Sequence, residues 1–155
     1  MADQRLELGD FAERMASLFI AAGLQRMPAR VLMALMTSED GGLTAQELQD
    51  RLRVSAAAIS GAVQYLRGIS MVRRVAQSGS RRDRYELPED LWYTASVQAD
   101  TFYLPMAQLA EAAVDVMDDP GSPRASRIRE MADFFRFMQR RLPQLLDEWE
   151  AQRTV

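Results

Sequence analysis

Eight arginines and a single acidic residue, Asp83, occupy positions 51–84. Eight positive charges against one negative leave +7 on that window, and the chain total of −3 puts −10 on everything else. A pI of about 5.1 therefore conceals a basic segment on an acidic body. The chemistry open to such a segment is contact with anions, phosphate above all, because a guanidinium is planar, permanently charged and donates two parallel hydrogen bonds. Every basic residue in the chain is an arginine, which the codon bias of a G+C-rich genome explains better than selection for phosphate does. Other chemistries are excluded by absences. Without cysteine there is no disulfide, thiolate metal site or thiol redox sensor, and without histidine no imidazole base or ligand. The pairs Glu39/Asp40, Glu89/Asp90 and Asp118/Asp119 are the carboxylates an enzyme could use, but they fall at helix ends and turns, where capping accounts for them. No enzyme, cofactor or metal site is expected.

The elements that would position the arginines are legible in outline. Pro28 can open a helix as a first-turn proline, and Val31, Leu32, Leu35 and Met36 form its apolar face. Glu39-Asp40-Gly41-Gly42 breaks it. Thr44-Ala-Gln-Glu47 is a capping box that starts a short helix with Ala45, Leu48 and Leu52 inward. Ser55 then N-caps a second helix, with Ile59, Val63 and Leu66 inward. Two short helices joined by about three residues make a helix-turn-helix. Val72–Ala76 and Arg84–Leu87, joined through Gln77-Ser-Gly-Ser80, read as a hairpin, or wing.

On either side lie longer helices. Residues 8–25 carry Phe11, Met15, Leu18 and Ala22 at helical spacing, with Gly23 weakening the end. Trp92, Ala95, Ala99, Phe102, Met106, Leu109, Ala113 and Val116 repeat at alternating intervals of three and four. After the turn Asp118–Pro123, with Ser122 as N-cap and Pro123 at the first helical position, Ile128, Met131, Phe135, Met138, Leu142, Leu145 and Trp149 do the same. Pro105 and Pro143 are expected to kink or break these helices. The expected architecture is mainly α with a small β-wing. An N-terminal dimerisation helix spans 1–27, a winged helix-turn-helix 28–90, and helical dimerisation arms 91–155. No apolar run is long enough for a bilayer, and Asp3, Glu7, Asp10 and Glu13 are unlike a signal peptide, so no membrane partner and a cytoplasmic location are expected.

This outline suggests double-stranded DNA as the partner. Ser55, Ala57, Ser60, Gly61 and Gln64 would face the major groove, the small residues keeping the helix slim and Gln64 able to read adenine. Arg53 and Arg67 would lie near phosphates, and Arg81, Arg82 and Arg84 at the wing, where a guanidinium can enter a narrow minor groove. A winged helix used only for protein contacts is the alternative. The seam Ile128, Met131, Phe135, Met138, Leu142, Leu145 and Trp149 would form a homodimer interface, since one helix-turn-helix offers too little surface for tight specific binding. All six phenylalanines and both tryptophans lie outside 28–90. An effector pocket bordered by Phe11, Met15, Trp92 and Tyr93, where the first long helix leaves the wing, would let a ligand change half-site spacing.

Residues 29–87 resemble the winged helix of MarR-type transcriptional regulators, especially the branch similar to the glycine betaine synthesis repressor, GbsR. The resemblance is carried by Pro28-Ala-Arg-Val-Leu, Leu43-Thr-Ala-Gln-Glu-Leu, Val54-Ser-Ala-Ala-Ala-Ile-Ser-Gly-Ala, Gly79-Ser-Arg-Arg-Asp-Arg-Tyr and Arg129-Glu-Met-Ala-Asp-Phe-Phe. Where that family's wing often has an Asp-x-Arg motif, Gly79-Ser-Arg-Arg stands here. The resemblance implies a homodimeric repressor on a palindromic operator, released or retained through a small-molecule effector. Its choline-responsive branch implies an effector that is cationic or apolar.

Overall fold

The computed structural model describes residues 7–153, without the side chains of 94–100. The seam positions Ala95 and Ala99, and the ends 1–6 and 154–155 of the expected arms, therefore lie outside the described residues. The fold is mainly helical with one three-stranded antiparallel sheet. Two compact units divide the chain, Met1–Leu91 and Trp92–Val155. Among the described residues, no helix is long and apolar enough to cross a membrane.

In the first unit, α1 (Leu8–Ala21) packs on α2 (Arg26–Met36), which also carries α4 (Ala56–Gly68). Val31, Leu32 and Leu35 of α2 are wholly buried, as are Leu48 of α3 (Ala45–Leu52) and Leu66 of α4, with Ile59 at 1 % exposure. Each such side chain contributes roughly 1.5–3 kcal/mol by leaving water. Pro28 is the third residue of α2 and lies in its first turn, as expected, where the amide it lacks has no helical partner in any case. Gly23, at φ +108°, ends α1: the Leu24 amide donates to the Phe19 carbonyl and the Gly23 amide to the Ile20 carbonyl. A left-handed residue closing a helix in this way is usually glycine.

The capping box forms in both directions. The Glu47 amide donates to Thr44 Oγ1 at 3.2 Å, and the Thr44 amide to Glu47 Oε2 at 2.7 Å. Ser55 caps α4 by accepting from the Ala58 amide at 3.2 Å. The hairpin is β2 (Arg73–Ala76) and β3 (Asp83–Glu86), so the first strand starts one residue later than expected and the second starts and ends one residue earlier. A third strand, β1 (Gly42–Thr44), was read from sequence as a helix break and a cap. It pairs with β3, placing β3 in the middle of the order β1-β3-β2. Three residues that begin with glycine carry no alternation; their extended form comes from pairing with a strand some forty residues away.

The second unit holds two helices, α5 (Leu91–Asp115, its first residue in the first unit) and α6 (Pro123–Arg153). Ser122 caps α6 through the Ala125 amide at 3.2 Å, with Pro123 first in the helix. Pro105 and Pro143 do not break these helices, which run 25 and 31 residues through them. The expected breaks fail because a proline removes one hydrogen bond from a ladder that its neighbours continue. Arg136 and Glu111 join α6 to α5 by two parallel bonds of 2.7 Å. The Phe135 ring lies 5.8 Å from Tyr103 and 6.4 Å from Phe102.

The box also sets a dependence on pH. Hydrogen bonding to the Thr44 amide, chiefly, holds the Glu47 carboxyl below the usual glutamate range. A depressed carboxyl stabilises the fold fully above its unfolded value, and that contribution is lost as pH falls through the folded value. Thr44→Ala is expected to cost about 1 kcal/mol in urea unfolding at neutral pH. The difference from wild type should narrow on acidification, because the Thr44 side chain also hydrogen-bonds the Glu47 carboxylate and that contribution goes when the carboxyl is protonated.

Candidate nucleic-acid interface

The surface of α4 follows from its period. Burying Ile59, Ala62, Val63 and Leu66, all at most 3 % exposed, turns the opposite face outward. Ser55, Ala57, Ser60, Gly61, Gln64 and Arg67 are all exposed. A methyl group added at Gly61 would meet nothing within 4 Å. Packing within the chain therefore does not require a glycine there, although glycine inside a helix costs about 1 kcal/mol relative to alanine.

Three residues separate α3 from α4. The first, Arg53, adopts the left-handed conformation at φ 54° and ψ 50°. The amide of Val54 then reaches back to the Gln49 carbonyl at 3.2 Å. An L-residue held there costs about 1 kcal/mol that glycine would avoid. The turn thus carries an exposed guanidinium at the position where the backbone least favours a side chain.

The eight arginines divide into two groups. Arg51 donates to Thr37 Oγ1 at 2.7 Å. Arg73 pairs with Glu86 at 3.4 Å and Arg74 with Asp83. The hydrogen bond from Arg74 to Asp83 raises the guanidinium's pKa further above its already high value. Arg84 pairs with Asp40 and lies 3.4 Å from Glu86. Arg53, Arg67, Arg81 and Arg82 are exposed and, among the described residues, make no ion pair. Of the eight positive charges read along that stretch, three are thus paired in space, with Asp83 inside the window and with Asp40 and Glu86 outside it. What stays open is four cations, two around α4 and two at the wing tip. The tip is shaped by Gly79, at φ +79°, and by the Ser80 hydroxyl, which accepts from the Arg82 amide at 3.1 Å.

Arg84 does not join Arg81 and Arg82. Its guanidinium turns to the root of the sheet and donates to the Gly42 carbonyl at 3.0 Å. Sequence reading also missed the polar groove between α3 and the wing, about 290 Å³, where Gln46, Gln49 and Tyr85 lie beside Arg82. Nothing in the sequence marks it, because it exists only once β3 pairs with β1.

The remaining site residues sort by unit. Phe11 and Met15 are half-buried against the cluster of Ala16, Ala29 and Met33 in the first unit. Trp92, 46 % exposed, and Tyr93 belong to the second. Of the α6 seam, Ile128, Phe135, Met138 and Leu142 are half-buried, while Met131, Leu145 and Trp149 are exposed. Of the carboxylates weighed for catalysis, Asp40 is paired with Arg84 and Asp119 accepts from the Gly121 amide in its turn.

The chain is similar to known regulators along most of its length. Residues 22–83 match the MarR family, and residues 90–152 match the MmpR5-like MarR family transcriptional regulators. The HTH-type transcriptional regulator MmpR5 of Mycobacterium tuberculosis is 24 % identical over 148 residues, covering 96 % of this chain and 89 % of that protein. A crystal structure described as that of a transcriptional regulator superposes with a TM-score of 0.82 at 23 % identity, over 93 % of this chain and 98 % of that one. That likeness establishes the fold. A capped helix-turn-helix, a paired wing and two consecutive matches to one family lead to the same conclusion: the chain is a DNA-binding transcriptional regulator of the MarR family, with its winged helix.

Proposed function

We propose that the protein is a homodimeric, ligand-responsive repressor that reads a palindromic operator with α4 in the major groove and the wing tip at the minor groove. The observation that carries this reading is the outer face of α4, slim and polar, with exposed and unpaired Arg53, Arg67, Arg81 and Arg82 around it. Ser55, Ala57, Ser60, Gly61 and Gln64 are the base-facing set, and the four arginines contact phosphate or enter the minor groove. Arg84 is left out of the contact set because its guanidinium is engaged by Asp40 and by the Gly42 carbonyl.

Dimerisation is supported by the apolar surface of the second unit. Its buried side chains on α6 are small, Ala125 and Ala132, whereas Met131, Phe134, Phe137, Leu145 and Trp149 are 43–54 % exposed. A lone chain in water seldom leaves so much large apolar surface uncovered. Ligand response rests on the aromatic residues outside the winged helix and on the resemblance to the choline-responsive, GbsR-like branch. Within the second unit, the aromatic faces of Trp92 and Tyr93 could take a quaternary ammonium by cation–π attraction.

Salt dependence tests the electrostatic part. If the four free arginines of each protomer each neutralise a phosphate, a dimer releases about eight counterions, and log K should fall against log salt with a slope of roughly −7. A slope near zero would leave a winged helix that binds protein instead. Arg82→Ala should weaken binding on all sequences and flatten the slope, whereas Gln64→Ala should cost about 1–3 kcal/mol at one operator position only.

Two substitutions set fold against function. Gly61→Ala and Arg53→Gly should each raise folding stability by about 0.5–1 kcal/mol, one by helix propensity and the other by relieving a left-handed side chain. Both should weaken DNA binding. If either variant binds as tightly as wild type, the residue is not there for DNA.

For assembly, Leu145→Asp and Trp149→Asp are the informative variants, because Phe135 packs on Tyr103 within its own chain. Each should shift sedimentation at micromolar concentration from dimer toward monomer while far-ultraviolet circular dichroism keeps its helical signal. A wild type that is monomeric under those conditions would contradict the dimer.

A further inference from the structure

Arg84 stands in the most basic run of the chain, yet it is the wing arginine most withdrawn from solvent, its side chain 21 % exposed. The pairing of β1 with β3 sets its backbone opposite Thr44, the cap of α3. From there the guanidinium reaches three partners. One Nη donates to the Gly42 carbonyl at 3.0 Å and pairs with Asp40, and Nε lies 3.4 Å from Glu86 Oε1. Asp40 belongs to the loop after α2, Gly42 to β1 and Glu86 to the wing strand itself. One side chain therefore ties the wing to the segment joining α2 to α3.

Space is left for it. A Cβ on Gly42 would fall 2.5 Å from Arg84 Nε, 2.8 Å from an Arg84 Nη and 2.8 Å from Glu86 Cγ. Gly42 has no positive φ that calls for glycine. The guanidinium beside it is the visible reason for glycine there.

We propose that Arg84 is a positioning residue for the wing, clamped by Asp40, Glu86 and Gly42 so that Arg81 and Arg82 are held out to DNA. The inference rests on the reading of the wing tip as a DNA contact. Arg84 lies two residues from Arg82, so a rotation at the strand root is carried directly into the tip. For Arg84 to bind a phosphate itself, it would have to leave two carboxylates, which also make its surroundings less attractive to an anion. In keeping with the clamp, the hydrogen bond from Arg84 is the main reason the Asp40 carboxyl sits below its ordinary range.

The clamp and a direct contact predict opposite signs for one substitution. Asp40→Asn removes a negative charge from the neighbourhood of DNA. If Arg84 were a phosphate contact held back by Asp40, binding would tighten. If Arg84 positions the wing, binding should weaken by roughly five- to tenfold, the scale of one lost hydrogen bond at an exposed site. The measurement uses the full-length protein and a duplex that wild type enriches from sheared genomic DNA. Arg84→Ala and Gly42→Ala should weaken binding similarly with the salt slope unchanged, whereas Arg82→Ala should flatten that slope by roughly two units per dimer. Arg84→Lys should recover part of the affinity. Tightened binding by Asp40→Asn, or a slope flattened by Arg84→Ala as much as by Arg82→Ala, would overturn the proposal.

Should Arg84→Ala fail to fold, Asp40→Asn still decides, since that carboxylate is 65 % exposed and its loss spares the core. Hydrogen exchange without DNA separates the clamp from the DNA reading. Amides of residues 83–86 should exchange faster in Asp40→Asn than in wild type. Unchanged exchange would sink the clamp even if DNA binding is real. Faster exchange in a protein that binds no DNA would leave the clamp standing and remove its purpose.

Discussion

Burial of α2 on more than one side holds the winged helix together. Val31, Leu32 and Leu35 are wholly out of water, and both α1 and α4 pack on this helix. An amphipathic helix docked by one stripe has no freedom in what it shows to the other side. Once Ile59, Val63 and Leu66 are committed to the core, Ser60, Gly61 and Gln64 must face outward. The presentation of this polar outer face is thus a consequence of core packing. The caps at Thr44 and Ser55 add definition by fixing where α3 and α4 begin.

Charge is organised by a second rule, that arginines near carboxylates become structural. Strand arginines at 73 and 74 meet Glu86 and Asp83 because antiparallel pairing of β2 with β3 brings them together, and Arg84 meets Asp40 of the loop before β1. Among the described residues, arginines on the tip and on the outer side of the helix-turn-helix have no such neighbours. The sheet therefore separates a basic sequence into cations that hold the wing and cations left for a partner.

In the second unit the packing runs the other way. Alanines at 107, 110, 125 and 132 occupy the buried positions, and the larger apolar residues are left outside. The ion pair of Arg136 with Glu111 and the rings of Phe102, Tyr103 and Phe135 join the two helices, while Trp149, Leu145 and Phe137 stay uncovered.

Much of this was legible from the residues. The capping box at Thr44 and Glu47, the cap at Ser55, the inward stripe of α4 and the turn at Ser122-Pro123 are local signals, each decided within one or two helical turns. The exposed face of α4 followed from the same periodicity. What the sequence could not decide was anything that depends on residues far apart in the chain. Gly42–Thr44 became a strand because β3 pairs with it, and the α3–wing groove came with that pairing. Arg84 reads as one more basic residue in a basic run, yet tertiary structure set Asp40 beside it and withdrew it from the surface. Local spacing fixes periodicity and caps, but the partner of a charge is chosen by the fold, because a carboxylate forty residues away in sequence can be the nearest one in space.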